Sequence, residues 1–167
     1  MDKPLIKHGK FELHHLREAD VLPFYLNLSS ENVREFDVLY NRDPYSALLE
    51  EVGQDMTHAV KIDGATIAVT GVYNNVFWAM FSKDIKKNWR GLVRASPKLV
   101  SFYHQFFDEL ICHIWTENDF TVNWVSHLGF EAKRMYADDN ENLMVHFVRC
   151  NSKRNHVGSK PSRPVMH

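Results

Sequence analysis

The sequence predicts a mixed α+β fold, a central and mostly antiparallel sheet flanked by helices, and three features carry that expectation. A two-residue apolar period from His58 to Phe81, broken at Asp63-Gly64 and Asn74-Asn75, gives a three-stranded meander. Helix-period segments with cap signals lie on either side of it. The resulting order of strand, helices, meander, helix, strand, helix and hairpin leaves two sheet faces for helices to cover. A chain of 167 residues suits one domain, expected over residues 1–150, with a flexible basic tail over 151–167.

Phe11–His15 alternates apolar and polar residues and runs into Arg17-Glu18-Ala19-Asp20, so a short strand gives way to a helix expected over residues 21–28. Ser30 followed by Glu31, with Val33, Phe36, Val38 and Leu39 behind it, predicts a capped amphipathic helix whose apolar positions face the core. Asp43-Pro44 predicts a third helix, Asp as cap and Pro in its first position, ending near Gly53. The meander strands are expected over 59–62, Ala65–Tyr73 and Val76–Phe81, the last apolar enough for a central position. Pro97 is expected to open a long helix with Leu99, Val100, Phe102, Tyr103, Phe106, Phe107 and Leu110 on the sheet. A strand over 111–116, a helix over 119–128 stopped by Gly129, and a hairpin of 131–136 with 143–148 complete the chain.

The balance of 20 Lys and Arg against 21 Asp and Glu, a net of −1, argues against a generally basic nucleic-acid coat. That average hides a split. Five cations (Arg149, Lys153, Arg154, Lys160, Arg163) and no carboxylate lie in residues 149–167, which leaves 15 cations against 21 anions, a net of −6, in the body. Within that body, residues 82–98 hold six cations (Lys83, Lys86, Lys87, Arg90, Arg94, Lys98) and one anion, Asp84, a net of +5. No apolar run reaches the roughly 20 residues of a membrane span and the charged first residues lack a signal-peptide stretch, so a soluble, non-secreted chain with no membrane span is expected. Cys112 and Cys150 are too few for a disulfide framework, which suits a reducing compartment.

The element order, with Arg17-Glu18-Ala19-Asp20 after the first strand and Thr116-Glu117-Asn118 separated by a helix from Gly129-Phe130, resembles the GNAT family of N-acetyltransferases over residues 11–148. The resemblance implies a GNAT-like acyltransferase fold. In it the strand before the long helix splays from its neighbour and acetyl-coenzyme A wedges between them; here the pair would be Val76–Phe81 and 111–116. It implies cofactor contacts at Phe81, Ser82, Arg90, Arg94 and Asn118. Two departures accompany it. The glycine-rich turn that would present backbone N–H groups to a pyrophosphate after Phe81 is missing, since Arg90-Gly91-Leu92-Val93-Arg94-Ala95 is the nearest approximation. The Tyr that protonates the leaving thiolate in many of these enzymes is Val125 here, so no catalytic residue is assigned.

A narrower resemblance rests on the Arg-Glu-Ala-Asp opening, the Arg34-Glu35 helix, Asp43-Pro44, Phe77-Trp78-Ala79-Met80 ahead of Ser82, and the segment from Asn118 to Gly129. It is to a GNAT-related family of short-tailed, T-odd type bacteriophages, the internal virion protein A family. It implies a degenerate acetyltransferase that works by binding phage virion proteins as an internal virion or morphogenesis component, without a cofactor, in the virion or the host cytoplasm. An active acetyl-CoA-dependent N-acetyltransferase on a phage or host amine is one alternative; a host-directed inhibitor is another.

Residues 83–98 have three open readings. Their side chains could hold coenzyme A phosphates in place of backbone amides, could dock DNA or an acidic partner together with residues 149–167, or could form a solvated loop. Asn118 reads both as a residue satisfying backbone groups at a strand end and as a cofactor contact. Glu31, Glu35, Asp37, Asp43, Glu50, Glu51 and Asp55, against Arg34 and Arg42, form either a solvated helix face or, in an enzyme, an acceptor entrance with Glu35 as general base. The ten His predict no metal site: His14-His15 point to opposite faces of a strand, His104 and Asp108 lack a third ligand, and no His-Glu-x-x-His occurs. Cys112 and His113, adjacent on a strand, cannot pair as nucleophile and base.

Overall fold

The turns set the sheet. Asp63 and Gly64 take φ of 50° and 82°, and Asn74 and Asn75 take 48° and 65°, the paired left-handed conformations that two-residue hairpins need. They join three strands of an eight-stranded sheet: β1 (Ile6–His8), β2 (Phe11–His15), β3 (Thr57–Ile62), β4 (Ala65–Tyr73), β5 (Val76–Phe81), β6 (Glu109–Trp115), β7 (Glu131–Ala137) and β8 (Leu143–Cys150). The spatial order is 1-2-3-4-5-6-8-7. Every neighbouring pair is antiparallel except β5 and β6. The computed structural model describes residues 3–151, so the tail expected over residues 151–167 lies, but for Asn151, outside the described residues.

Among the described residues, five α-helices flank the sheet: α1 (Glu18–Leu26), α2 (Ser30–Glu35), α3 (Pro44–Glu51), α4 (Trp89–His104) and α5 (Asp119–His127). Strand alternation sends Phe77 and Phe81 of β5 to one face, where they pack with Leu92, Val100 and Tyr103 of α4 and Trp124 and Val125 of α5. Met80 and Trp78 go to the other face with Val21 and Phe24 of α1 and Leu48 of α3. Asp43 caps α3 by accepting from the backbone N–H groups of Tyr45 and Ser46. Gly129, at φ +86°, ends the α5 segment as expected. No helix among the described residues is long and apolar enough to cross a membrane.

Four expectations need correction. Pro97 does not open the long helix; α4 starts at Trp89 and carries Pro97 inside it, after a 3-10 helix at Lys83–Asn88. The reason is tertiary: Leu92, Ser96, Leu99, Val100 and Tyr103 form one buried stripe across the proline, and Ser96 Oγ donates to the Leu92 carbonyl (2.6 Å) and accepts from Trp124 Nε1 (2.8 Å). Of the apolar positions expected to face the core after Ser30, Phe36 packs against the cluster of Val21, Phe24 and Leu48, and Val33 does not face the core. The segment's cap is Ser29, α2 buries only Asn32, Val33 is 48% exposed, and the chain continues as a π-helical turn, Phe36–Tyr40, that lines a groove. Helix α1 begins earlier than expected, at Glu18, where the Asp20 carboxylate accepts from the Arg17 backbone N–H (2.9 Å) and meets Lys61 at 2.8 Å. Arg149, counted with the tail, belongs to β8 and donates from Nε to the Leu128 carbonyl at the end of α5 (2.7 Å).

Gly91 sits where α4 crosses β2. A Cβ there would lie 2.5 Å from Phe11 Cε2, so the residue is needed for close approach. Gly91→Ala should lose about 1–2 kcal/mol in urea unfolding, because overpacking of ~1–3 kcal/mol outweighs a helix-propensity gain of ~0.5–1 kcal/mol.

His58 has 0% exposure and its Nδ1 lies 2.7 Å from the Tyr103 hydroxyl. Burial, with a smaller contribution from His15, pulls its imidazole down to about 4 from 6.5. A depressed His favours the fold while neutral, so this contribution is complete above pH 6.5 and is lost as the pH falls toward about 4. Urea unfolding across that window should show the loss, and His58→Gln should flatten it.

Candidate functional site

The parallel pair β5–β6 meets at one position, Val76↔Ile111, with the Ile111 N–H donating to the Asn75 carbonyl at 2.9 Å. Beyond it the strands part. Alternation turns the backbone groups of Ala79 and Phe81 toward the gap. Those of Phe81 are closed from α2: its N–H donates to Asn32 Oδ1 (2.8 Å) and its C=O accepts from the Ser29 N–H (2.9 Å). Ala79, between the junction and this closure, keeps an edge that β6 does not cover.

Aromatic side chains fill the wedge on the face shared with α4 and α5. Trp124 packs on Phe77 and Phe81 (ring centroids 5.5 and 5.1 Å), and Phe120 packs on Phe81 at 5.0 Å. The gap opens at its mouth into two spaces. A pocket of about 190 Å³ lies at the diverging carboxyl ends of the strands, lined by residues that include Ser29, Glu31, Ser82, Lys86, Asn118 and Thr121. A groove of about 570 Å³ lies on the opposite face, lined by residues that include Glu35, Phe36, Tyr40, Glu51, Trp78 and Ala79.

Glu35 stands between them. Its carboxylate accepts from Asn118 Nδ2 at 3.1 Å and from Asn32 Nδ2 at 3.5 Å, two residues of the pocket, while Glu35 itself lines the groove. Burial raises its pKa above the usual carboxylate range, and the two amide bonds only partly offset this. Tyr40, about half exposed, stands on the same groove, where partial burial and the neighbouring charge of Glu35 raise the pKa of its hydroxyl. Val125 is 1% exposed in the core and presents no proton donor.

Of the residues singled out in the sequence, Phe81, Ser82 and Asn118 come together at the pocket. Asn118 plays both roles considered for it locally, capping α5 by accepting from the Thr121 N–H (3.2 Å) while its amide faces Glu35. Arg90 and Arg94 are not there. Both are exposed on α4, and Arg90 lines a separate basic hollow of about 320 Å³ with Lys10, Lys86 and Lys87. Sequence reasoning missed Ser29, the cap of α2, and Asn32, the one buried residue of that helix, whose signal was a Ser followed three positions later by a polar residue. Among the described residues no group of three His, Cys, Asp or Glu could hold a metal ion.

No protein-family model and no curated protein sequence matches the chain. Solved structures do. A GNAT-family acetyltransferase from Bacillus anthracis superposes with a TM-score of 0.68 at 10% identity, covering 87% of this chain and 97% of that one. Spermidine N-acetyltransferase from Vibrio cholerae, in complex with CoA and spermine, gives 0.64 at 12% identity over 86% and 97%. An aminoglycoside acetyltransferase in complex with coenzyme A gives 0.63 at 11% identity over 87% and 99%. With an eight-stranded mixed sheet, helices on both faces and one splayed parallel pair, the chain has the fold of the GNAT acetyltransferases.

Proposed function

We propose that the chain is an acetyl-coenzyme A-dependent N-acetyltransferase with Glu35 as the general base for an amine acceptor. The position of Glu35 carries the reading: a carboxylate with a raised pKa, held by Asn32 and Asn118, at the junction of the splay and an open groove. The free Ala79 edge fits the amide-bearing arm of the donor, and the groove fits the acceptor. Phe36, Tyr40 and Trp78 offer π-faces, and Glu35 and Glu51 carboxylates, to a cation. Two fold neighbours, named for spermidine and aminoglycosides, act on amines of this kind.

In this reading an ammonium docks among those groups and gives a proton to the Glu35 carboxylate. The free amine nitrogen attacks the thioester carbonyl carbon, the C–S bond breaks, the nitrogen's second proton passes to the leaving thiolate directly or through solvent or the Tyr40 hydroxyl, and Glu35 returns the first proton to solvent. The outward N–H of Ala79 is placed to orient the donor. Because the base form of Glu35 is needed, kcat/KM should rise with pH through a value above the ordinary carboxylate range. Glu35→Gln should lower kcat/KM by about 10²-fold or more at neutral pH while leaving the acetyl-CoA Kd unchanged.

A second reading, a degenerate phage acetyltransferase that binds partners within the virion, draws on two observations. The 3-10 helix at Lys83–Asn88 occupies the place of the glycine-rich turn, and Ser29 and Asn32 close the mouth end of β5. Calorimetric titration with acetyl-CoA separates the readings. Micromolar binding, with thiol release in the presence of polyamine, peptide or aminoglycoside acceptors, supports acyl transfer. Absence of binding overturns it, and mass spectrometry of purified virions, with the chain at defined copy number, would then support the second reading.

A further inference from the structure

We infer that the outer face of α4, together with the turn between β1 and β2, is a docking surface for single-stranded nucleic acid, which it holds through the phosphate backbone. The surface lies apart from the splay, and the inference does not rest on the acyl-transfer reading.

Helix α4 carries no Asp or Glu among its 16 residues, in a chain with 21 carboxylates. Arg90, Arg94 and Lys98 follow one another at four-residue steps, so they share one helix face, opposite the buried stripe from Leu92 to Tyr103. All three are exposed. The row spans about 12 Å with roughly 6 Å between cations, an interval comparable to that of successive phosphates along a nucleic-acid strand. Lys10, exposed in the β1–β2 turn, extends the row through the basic hollow that it lines with Arg90. Among the described residues none of these four cations makes an ion pair, whereas Lys86 and Lys87, nearer the splay, are paired with Glu31 and Asp84. Like charges one helical turn apart destabilise a helix slightly, and a polyanion laid along them relieves the repulsion.

Two further features select the partner. At the far end of the row an open hollow of about 480 Å³ is lined by residues that include Leu5, Lys98 and Phe102, and Phe106, 58% exposed, packs on Phe102 at a centroid distance of 5.7 Å. Aromatic faces beside a cationic track suit unpaired bases, which stack on them whatever their sequence. The chain also passes out of the described residues at this end. Asn151 Nδ2 donates to the His104 carbonyl at the end of α4 (3.2 Å), and residues 152–167 hold four cations, Lys153, Arg154, Lys160 and Arg163, and no carboxylate. A second positive segment is thereby attached where the first one ends. The basic hollow shares only Lys86 with the pocket at the splay.

The test is fluorescence anisotropy of a labelled oligothymidylate of about 20 nucleotides with the full chain. Binding should saturate, and log K should fall against log salt with a slope of about −3 to −6, as expected for four to eight cations at ~0.7 each. Replacing Arg90, Arg94 and Lys98 together by Ala should weaken binding tenfold or more and flatten that slope by about 2. The three side chains are exposed, so the variant should unfold in urea like the parent and isolate the ligand effect. Lys133→Ala, on β7 at the opposite edge of the sheet, should leave binding unchanged. Excess coenzyme A should not displace the oligonucleotide. Absence of saturable binding, or a triple variant that binds like the parent, would overturn the surface; so would an equal loss in Lys133→Ala, or displacement by coenzyme A. Equal or tighter binding of a duplex of the same length, or of polyglutamate, would overturn the single-strand assignment.

Discussion

One parallel contact, Val76↔Ile111, joins two antiparallel blocks of sheet, and the rest of the architecture answers to that constraint. Strand β5 is committed along its length to β4, and β6 to β8, so neither can follow the other past the junction. Their divergence exposes peptide groups that must find partners. Helix α2 supplies them for Phe81 through Ser29 and Asn32, and α5 leans across the gap with Trp124 against two aromatic rings of β5. The bond from Trp124 Nε1 to Ser96 ties that wedge to α4, so the two helices and the splay form one mechanical unit.

The same geometry organises charge. The acidic segment around α2 and the basic segment after β5 meet at the mouth of the splay, where Lys86 pairs with Glu31. Nearby, Arg34 pairs with Glu117 at 2.9 Å and lies 4.9 Å over Trp115. Exposed pairs of this kind add little stability, but they align segments distant in sequence. Glu35 is the exception, drawn into a site where its charge is poorly solvated and held there by two amides. A carboxyl that is costly to ionise, placed beside an open groove, is better suited to proton transfer than to stabilising the fold.

Elements that carry their own local chemistry were legible. Asp63-Gly64 and Asn74-Asn75 require left-handed backbone, Asp43-Pro44 sets a helix start, and Gly129 a helix end; each appears where the chain chemistry calls for it. The opposite holds for α4. Proline argues locally for a helix start, yet the buried stripe from Leu92 to Tyr103 outweighs one missing N–H, so the helix already begins at Trp89. Strand β1 escaped notice because three residues with mixed burial give too short a period to read.

The residues alone established a mixed sheet with helices on both faces, its meander and final hairpin, and the absence of a glycine-rich turn after Phe81, because each depends on neighbours a few positions apart. They also named Glu35 and Asn118, but as unrelated candidates. Folding alone joined those two, 83 positions apart, in one hydrogen bond and sent Arg90 and Arg94 elsewhere. Which cations reach a pocket depends on helix phase and on where two strands part, and those follow from packing across the whole sheet.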